Sequence, residues 1–164
     1  MSEILPQYEV VFEGKHSRVI CFNPGLSKLL VGFEHRQYDR AGFAEVEPWK
    51  LALKHGHSQI RIQLLENDYY QNDDLPQLRR FLSGFTKPYE SVRGLGFSMG
   101  GFGALLLSKS LRMDHVILVS PQRLGFFREP PFAIDLEAEA AVFSPGLDRR
   151  YEGIREGMRG VVIY

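Results

Sequence analysis

The order of apolar runs in the sequence predicts a three-layer α/β/α sandwich on a mostly parallel sheet that opens with an antiparallel hairpin. Three observations carry this expectation. From residue 29 onward, short β-rich runs alternate with stretches of helical periodicity. The runs at 29–33 and 116–119 are continuously apolar, as strands buried on both faces are. The two earlier runs are separated only by Gly14-Lys15-His16-Ser17, a hairpin-sized connection.

Tyr8 to Glu13 alternates apolar and polar residues, and Arg18 to Phe22 is the second arm of the hairpin, closed by Asn23-Pro24-Gly25. Leu29 to Phe33 follows as a buried strand. Pro48 suits a first helical turn, Trp49, Ala52 and Leu53 share one face, and Gly56 stops the helix. Ile60, Ile62 and Leu64 alternate as a strand does. Asp73 or Asp74 is expected to cap a helix with Pro76 in its first turn and Leu75, Leu78, Leu82 and Phe85 inward. A strand over Val92–Phe97, a helix over Met99–Leu111 and a strand over Val116–Val119 come next. Residues 121–131 read as irregular. Leu136–Phe143 and Arg149–Met158 read as helices parted by Ser144-Pro145-Gly146, and residues 161–164 as a last core strand.

The chain of 164 residues suits a single domain, 1–164, with a substantial core. Twenty basic and twenty acidic residues cancel, so no overall field draws nucleic acid or an anionic membrane, and no nucleic-acid partner is expected. Arg149, Arg150, Arg155 and Arg159 alternate with Asp148, Glu152 and Glu156 and read as a solvated helix face. No apolar run approaches the roughly 18 residues of a membrane span, and the N-terminus lacks secretory-signal character, so a cytoplasmic location is expected. The one cysteine, Cys21, sits in an apolar run without ligand-spaced companions. It reads as a small core residue, and neither metal nor cofactor is expected.

The chemical signal is Gly96-Phe97-Ser98-Met99-Gly100, a G-x-S-x-G pattern with a strand before it and a helix after it. A sharp strand-to-helix turn strains the serine backbone, and glycines two residues to either side remove Cβ atoms that would collide. The turn sets the Ser98 hydroxyl at a helix N-terminus, where free N–H groups stabilise an oxyanion. A dinucleotide loop fails on spacing, because Met99 stands where its third glycine belongs.

The stretch from Val92 to Gln122 resembles the nucleophile strand, helix and following strand of the α/β-hydrolase superfamily. GFSMGGFGAL, VSPQ and NDYYQ further resemble hydrolase-like proteins of bacterial surface-polysaccharide loci. The resemblance implies Ser98 as nucleophile, the Met99 N–H as one oxyanion donor and a second donor near Glu34 or His35. It implies a serine hydrolase that cleaves an ester or related acyl bond on a small-molecule or glycan-linked substrate. Tyr69 and Tyr70, with Asn67 and Gln71, are expected either to stack on and hydrogen-bond a sugar or to pack in the core. The phenylalanine-rich segment 122–132 falls where such folds carry a lid.

The family's acid and histidine are not evident. His115, the one histidine after Ser98, opens a strand at the opposite sheet edge, roughly 15 Å away. His35 follows a strand aimed at the Ser98 edge and reads as a non-standard base, a pocket residue or a solvent-exposed loop residue, while His16, His55 and His57 read as structural or exposed turn residues. Asp135 and Asp148 are explained as helix caps. The resemblance puts the acid just beyond Tyr164 and the histidine after one more strand, so a C-terminally truncated chain is expected. The alternative is a non-catalytic hydrolase-fold protein that binds a ligand or partner. An apolar final strand also invites homodimerisation through the sheet edge.

Overall fold

The computed structural model describes residues 8–121 and 155–163. Among these residues seven strands and three helices are formed: β1 (Tyr8–Glu13), β2 (Ser17–Phe22), β3 (Lys28–Phe33), α1 (Lys50–Lys54), β4 (His57–Leu64), α2 (Leu75–Phe85), β5 (Ser91–Phe97), α3 (Met99–Leu107), β6 (His115–Val119) and β7 (Arg159–Ile163). They join in one sheet of order β1-β2-β4-β3-β5-β6-β7. The β1–β2 hairpin is antiparallel, β2 runs antiparallel to β4, and the remaining neighbours are parallel. The expected α/β/α sandwich is therefore the observed fold.

The core lies between the sheet and the pair α2 and α3. Val19, Cys21, Leu29, Val31, Phe33, Ile60, Ile62 and Leu64 point to this face and meet Leu78, Leu82, Met99, Phe102 and Leu107. Alternation puts the side chains between these positions on the other face, where α1 packs. Burial drives the Cys21 thiol up to about 11, with Glu9 adding to the effect, as suits a core residue rather than a reactive thiolate.

Several local expectations change. Trp49 is not inside α1 but precedes it, with its ring 3.4 Å from the Arg61 guanidinium carbon, over Gly32. Asp74 holds the N-cap position of α2 without capping it. Its carboxylate accepts instead from the backbone N–H groups of Lys15 (3.2 Å), His16 (2.5 Å) and Ser17 (2.8 Å). A carboxylate offered three converging amides in the hairpin turn gains more there than at one helix end. Arg155 lies outside any helix and pairs with Asp114 at 3.0 Å, and Arg159 belongs to β7, so neither sits on the expected helix face. The expected helix at 136–143, the rest of that at 149–158, the segment 122–132, Asp135 and Asp148 lie outside the described residues.

Candidate active site

The C-terminal ends of the parallel strands gather Glu34, Leu65, Ser98 and Ser120 at one edge of the sheet. Ser98 stands alone between β5 and α3, with φ 51° and ψ −119°. That region is costly for a side-chain-bearing residue and persists only where neighbours enforce it. They do so here. The Ser98 N–H donates to the Val119 carbonyl (3.0 Å), and the Ser98 carbonyl accepts from Gly101 N–H (2.9 Å). The half-buried side chain makes no capping bond to α3, so the hydroxyl is not consumed by its own helix.

The flanking glycines are required by contact. A Cβ on Gly96 would strike the Gly100 carbonyl, and one on Gly100 would come within 2.8 Å and 2.9 Å of the Phe33 and Glu34 carbonyl oxygens. The first turn of α3 thus presses on the end of β3. It brings the 34–35 loop beside the amides that follow Ser98, where Met99 is buried.

That loop is held from below. The Tyr70 hydroxyl donates to the Glu34 carbonyl at 2.9 Å. The Glu34 carboxylate accepts from Arg40 (2.8 Å), Leu64 N–H (3.0 Å) and Gln63 (3.2 Å). The Glu34 and Arg40 side chains are 8% and 5% exposed, so the pair is desolvated, and Arg40 donates further to the Leu64 carbonyl and the Asn67 side chain. Asn67 completes the frame by accepting from Gln37 N–H (3.1 Å) and donating to its carbonyl (2.7 Å). Long-range pairings of this kind leave no periodic trace, and Arg40 and Gln63 could not be singled out from the sequence.

Tyr69 and Tyr70 are each 1% exposed, so the expected sugar-stacking role does not fit them. The Tyr69 ring meets Phe102 edge-on, and the Tyr70 ring meets Phe33 and fills the space over Gly103. Both adopt positive φ, 55° and 63°, in a turn fastened by the Asp68 carboxylate, which accepts from Tyr70 N–H and Asn72. Burial outweighs those bonds and raises the Asp68 carboxyl to about 6. Asn67, whose amide is spent on Gln37 and Arg40, is likewise part of the frame.

His35 is exposed on the loop after β3, one strand from β5. His16 shares this edge three strand spacings away, about 14 Å from β5. His115 pairs with Arg93 while Val119 pairs with Phe97, which puts His115 about 13 Å below the Ser98 end of the sheet. His57 opens β4 at that same lower edge beside His55. Among the described residues, no group of three His, Cys, Asp or Glu side chains is arranged to hold a metal ion, and no helix is long and apolar enough to cross a membrane.

No family model and no curated protein matches the chain. Solved structures do. MGS-M1, an α/β-hydrolase enzyme from a Medee basin deep-sea metagenome library, aligns at 17% identity over 71% of this chain and 57% of its own, with a TM-score of 0.51. The glycosylation-associated Gap123 complex of Streptococcus agalactiae aligns at 12% identity over 96% and 36%, with a TM-score of 0.60. The capsule O-acetyltransferase of Neisseria meningitidis serogroup A aligns at 19% identity over 86% and 62%, with a TM-score of 0.55. The chain spans less than two thirds of the length of each of these three. It has the α/β-hydrolase fold.

Proposed function

We propose that the protein carries out acyl transfer from an ester or related acyl donor through an acyl-enzyme on Ser98. The observation that carries this reading is the strained, backbone-pinned serine between a buried strand and the N-terminus of a nine-residue helix. A hydroxyl held there faces the partial positive charge of the first-turn amides.

In the proposed reaction Ser98 Oγ forms a bond to the acyl carbon, and its proton passes to a base as the carbonyl electron pair moves onto oxygen. The Met99 N–H and an N–H of the 34–35 loop donate to that oxyanion. Collapse restores the carbonyl and breaks the bond to the leaving group, which takes up the proton. A second acceptor, water or an alcohol, then releases the acyl group by the reverse sequence. In this reading His35, exposed on the loop that abuts α3, serves as the base or borders the acceptor.

The likeness to a capsule O-acetyltransferase and to a glycosylation-associated complex supports a glycan hydroxyl as acceptor, and the likeness to an acetyl xylan esterase (12% identity, TM-score 0.51) supports water. A fluorophosphonate probe with mass spectrometry tests the shared step. The full chain is expected to be phosphonylated at Ser98 and the Ser98→Ala variant to stay unlabelled. An intact, folded protein with no adduct at Ser98 would overturn the reading. Release of acetate or its transfer to a sugar from an acetyl donor then separates hydrolysis from transfer.

A further inference from the structure

A second strained serine stands beside the first. Ser120 follows β6 with φ 43°, and the register that pairs Phe97 with Val119 sets it one strand away from Ser98, whose φ is 51°. Neighbouring strands lie about 4.8 Å apart, so the two backbone distortions adjoin at one edge of the sheet. A residue with a side chain holds such a conformation only where its surroundings enforce it, and residues in this state gather at functional sites.

The restraint passes through a single peptide group. The Ser120 N–H donates to the Ile163 carbonyl at 2.6 Å, one residue past the end of β6. The carbonyl of the same peptide, that of Val119, accepts from the Ser98 N–H at 3.0 Å. The peptide between Val119 and Ser120 thus ties β7 on one side to the serine turn on the other.

The half-buried Pro121 then folds onto α3. A Cβ on Gly101 would come within 2.9 Å of the Pro121 Cβ and 3.1 Å of its Cα, so proline and helix already touch. On the other flank of the same turn, Gly100 abuts the Phe33 and Glu34 carbonyls. The first turn of α3 is therefore gripped from two sides, by the end of β3 through Gly100 and by Pro121 through Gly101. Proline suits this contact, because its φ is fixed and it has no N–H to leave unpaired against an apolar helix.

We propose that Pro121 is a positioning residue for the acyl transfer at Ser98. Seated on Gly101, it sets how far the first turn of α3, with the Ser98 hydroxyl and the Met99 N–H, stands from the 34–35 loop. The inference rests on Ser98 as the nucleophile. Ser120 takes part through its backbone, and its hydroxyl has no role.

The test is the rate of fluorophosphonate labelling at Ser98 in the full chain. A displaced reacting group loses rate steeply, so Pro121→Gly, which opens a gap, and Gly101→Ala, which forces proline and helix apart, are each expected to label at least about tenfold more slowly. In the double variant the new methyl group fills the space that the ring vacates, and labelling is expected to be faster than in either single variant. Pro121→Ala keeps the contacting Cβ, and Ser120→Ala removes only the hydroxyl, so both are expected to keep most of the wild-type rate. Circular dichroism confirms that each variant is folded in the assay; should Gly101→Ala fail to fold, the contrast between Pro121→Gly and Pro121→Ala decides. A wild-type rate in Pro121→Gly, an equal loss in Pro121→Ala, or a double variant no faster than the slower single one overturns the proposal. So does a loss in Ser120→Ala that matches Pro121→Gly, which assigns the effect to the hydroxyl. These outcomes presuppose a wild-type chain labelled at Ser98; an unlabelled wild type overturns the nucleophile reading, and this inference with it.

Discussion

The phenol of Tyr70 donates a hydrogen bond to the main-chain carbonyl of Glu34 across 2.9 Å, joining two loops thirty-six residues apart. The bond is buried, so its loss is felt in full. Tyr70→Phe keeps the ring over Gly103 but leaves the Glu34 carbonyl without this donor, at a cost of about 1–2 kcal/mol. Urea denaturation is expected to show that loss, and the fluorophosphonate labelling rate of Ser98 is expected to fall as the 34–35 loop slackens. An unchanged labelling rate would remove the loop from the oxyanion site.

Ser98 supplies a second prediction. Its φ of 51° costs of order 1–3 kcal/mol, which glycine avoids. Glycine also widens the unfolded ensemble, by about 0.5–1 kcal/mol. Ser98→Gly is therefore expected to raise the unfolding free energy by about 1 kcal/mol while abolishing labelling, whereas Ser98→Ala abolishes labelling with little gain in stability. Urea titrations of both variants make the comparison.

The Glu34–Arg40 pair invites a double-mutant cycle. Arg40→Met strands a carboxylate whose side chain is 8% exposed, with an expected loss of about 3–5 kcal/mol. Glu34→Gln in the same chain removes the stranded charge and is expected to recover a large part of it. If the double variant is no more stable than Arg40→Met, the pair is not what the site depends on.

Asp68 makes stability depend on pH in the direction opposite to most carboxylates. Its folded pKa is raised, chiefly by burial, from 3.8 to about 6, so the folded state binds this proton more tightly than the unfolded state. Stability from this group is greatest below the unfolded pKa, falls as pH rises through about 4 to 6, and stays low above that. At 1.36 kcal/mol per pKa unit the swing is about 3 kcal/mol. Asp68→Asn is expected to flatten that component, so the stability difference between the two proteins narrows or reverses from pH 7 to pH 4. Parallel curves over this range would contradict it.

The strands were legible because apolar alternation and unbroken apolar runs encode which faces are buried. Ser98 was legible because the glycines around it answer a local contact problem. Asp74 shows where sequence reading stops: its spacing to Pro76 suggests a helix cap, yet three amides from a turn nearly sixty residues earlier offered more. For Tyr69 and Tyr70 the sequence left a sugar platform and core packing open, and burial decides for the core. Their residue types suit a sugar platform, but the Tyr70 ring fills the space over Gly103 and the Tyr69 ring packs on Phe102, and residues more than thirty positions downstream carry no local hint of that.

The strand order also dictates how the chain assembles as it is synthesised. β3 is bordered by β4 and β5, both made after it, and the hairpin attaches to the sheet only through β4. Until residue 97 emerges, an almost wholly apolar strand has one edge unsatisfied, and the first half of the molecule must wait, exposed to chaperones, for its second half.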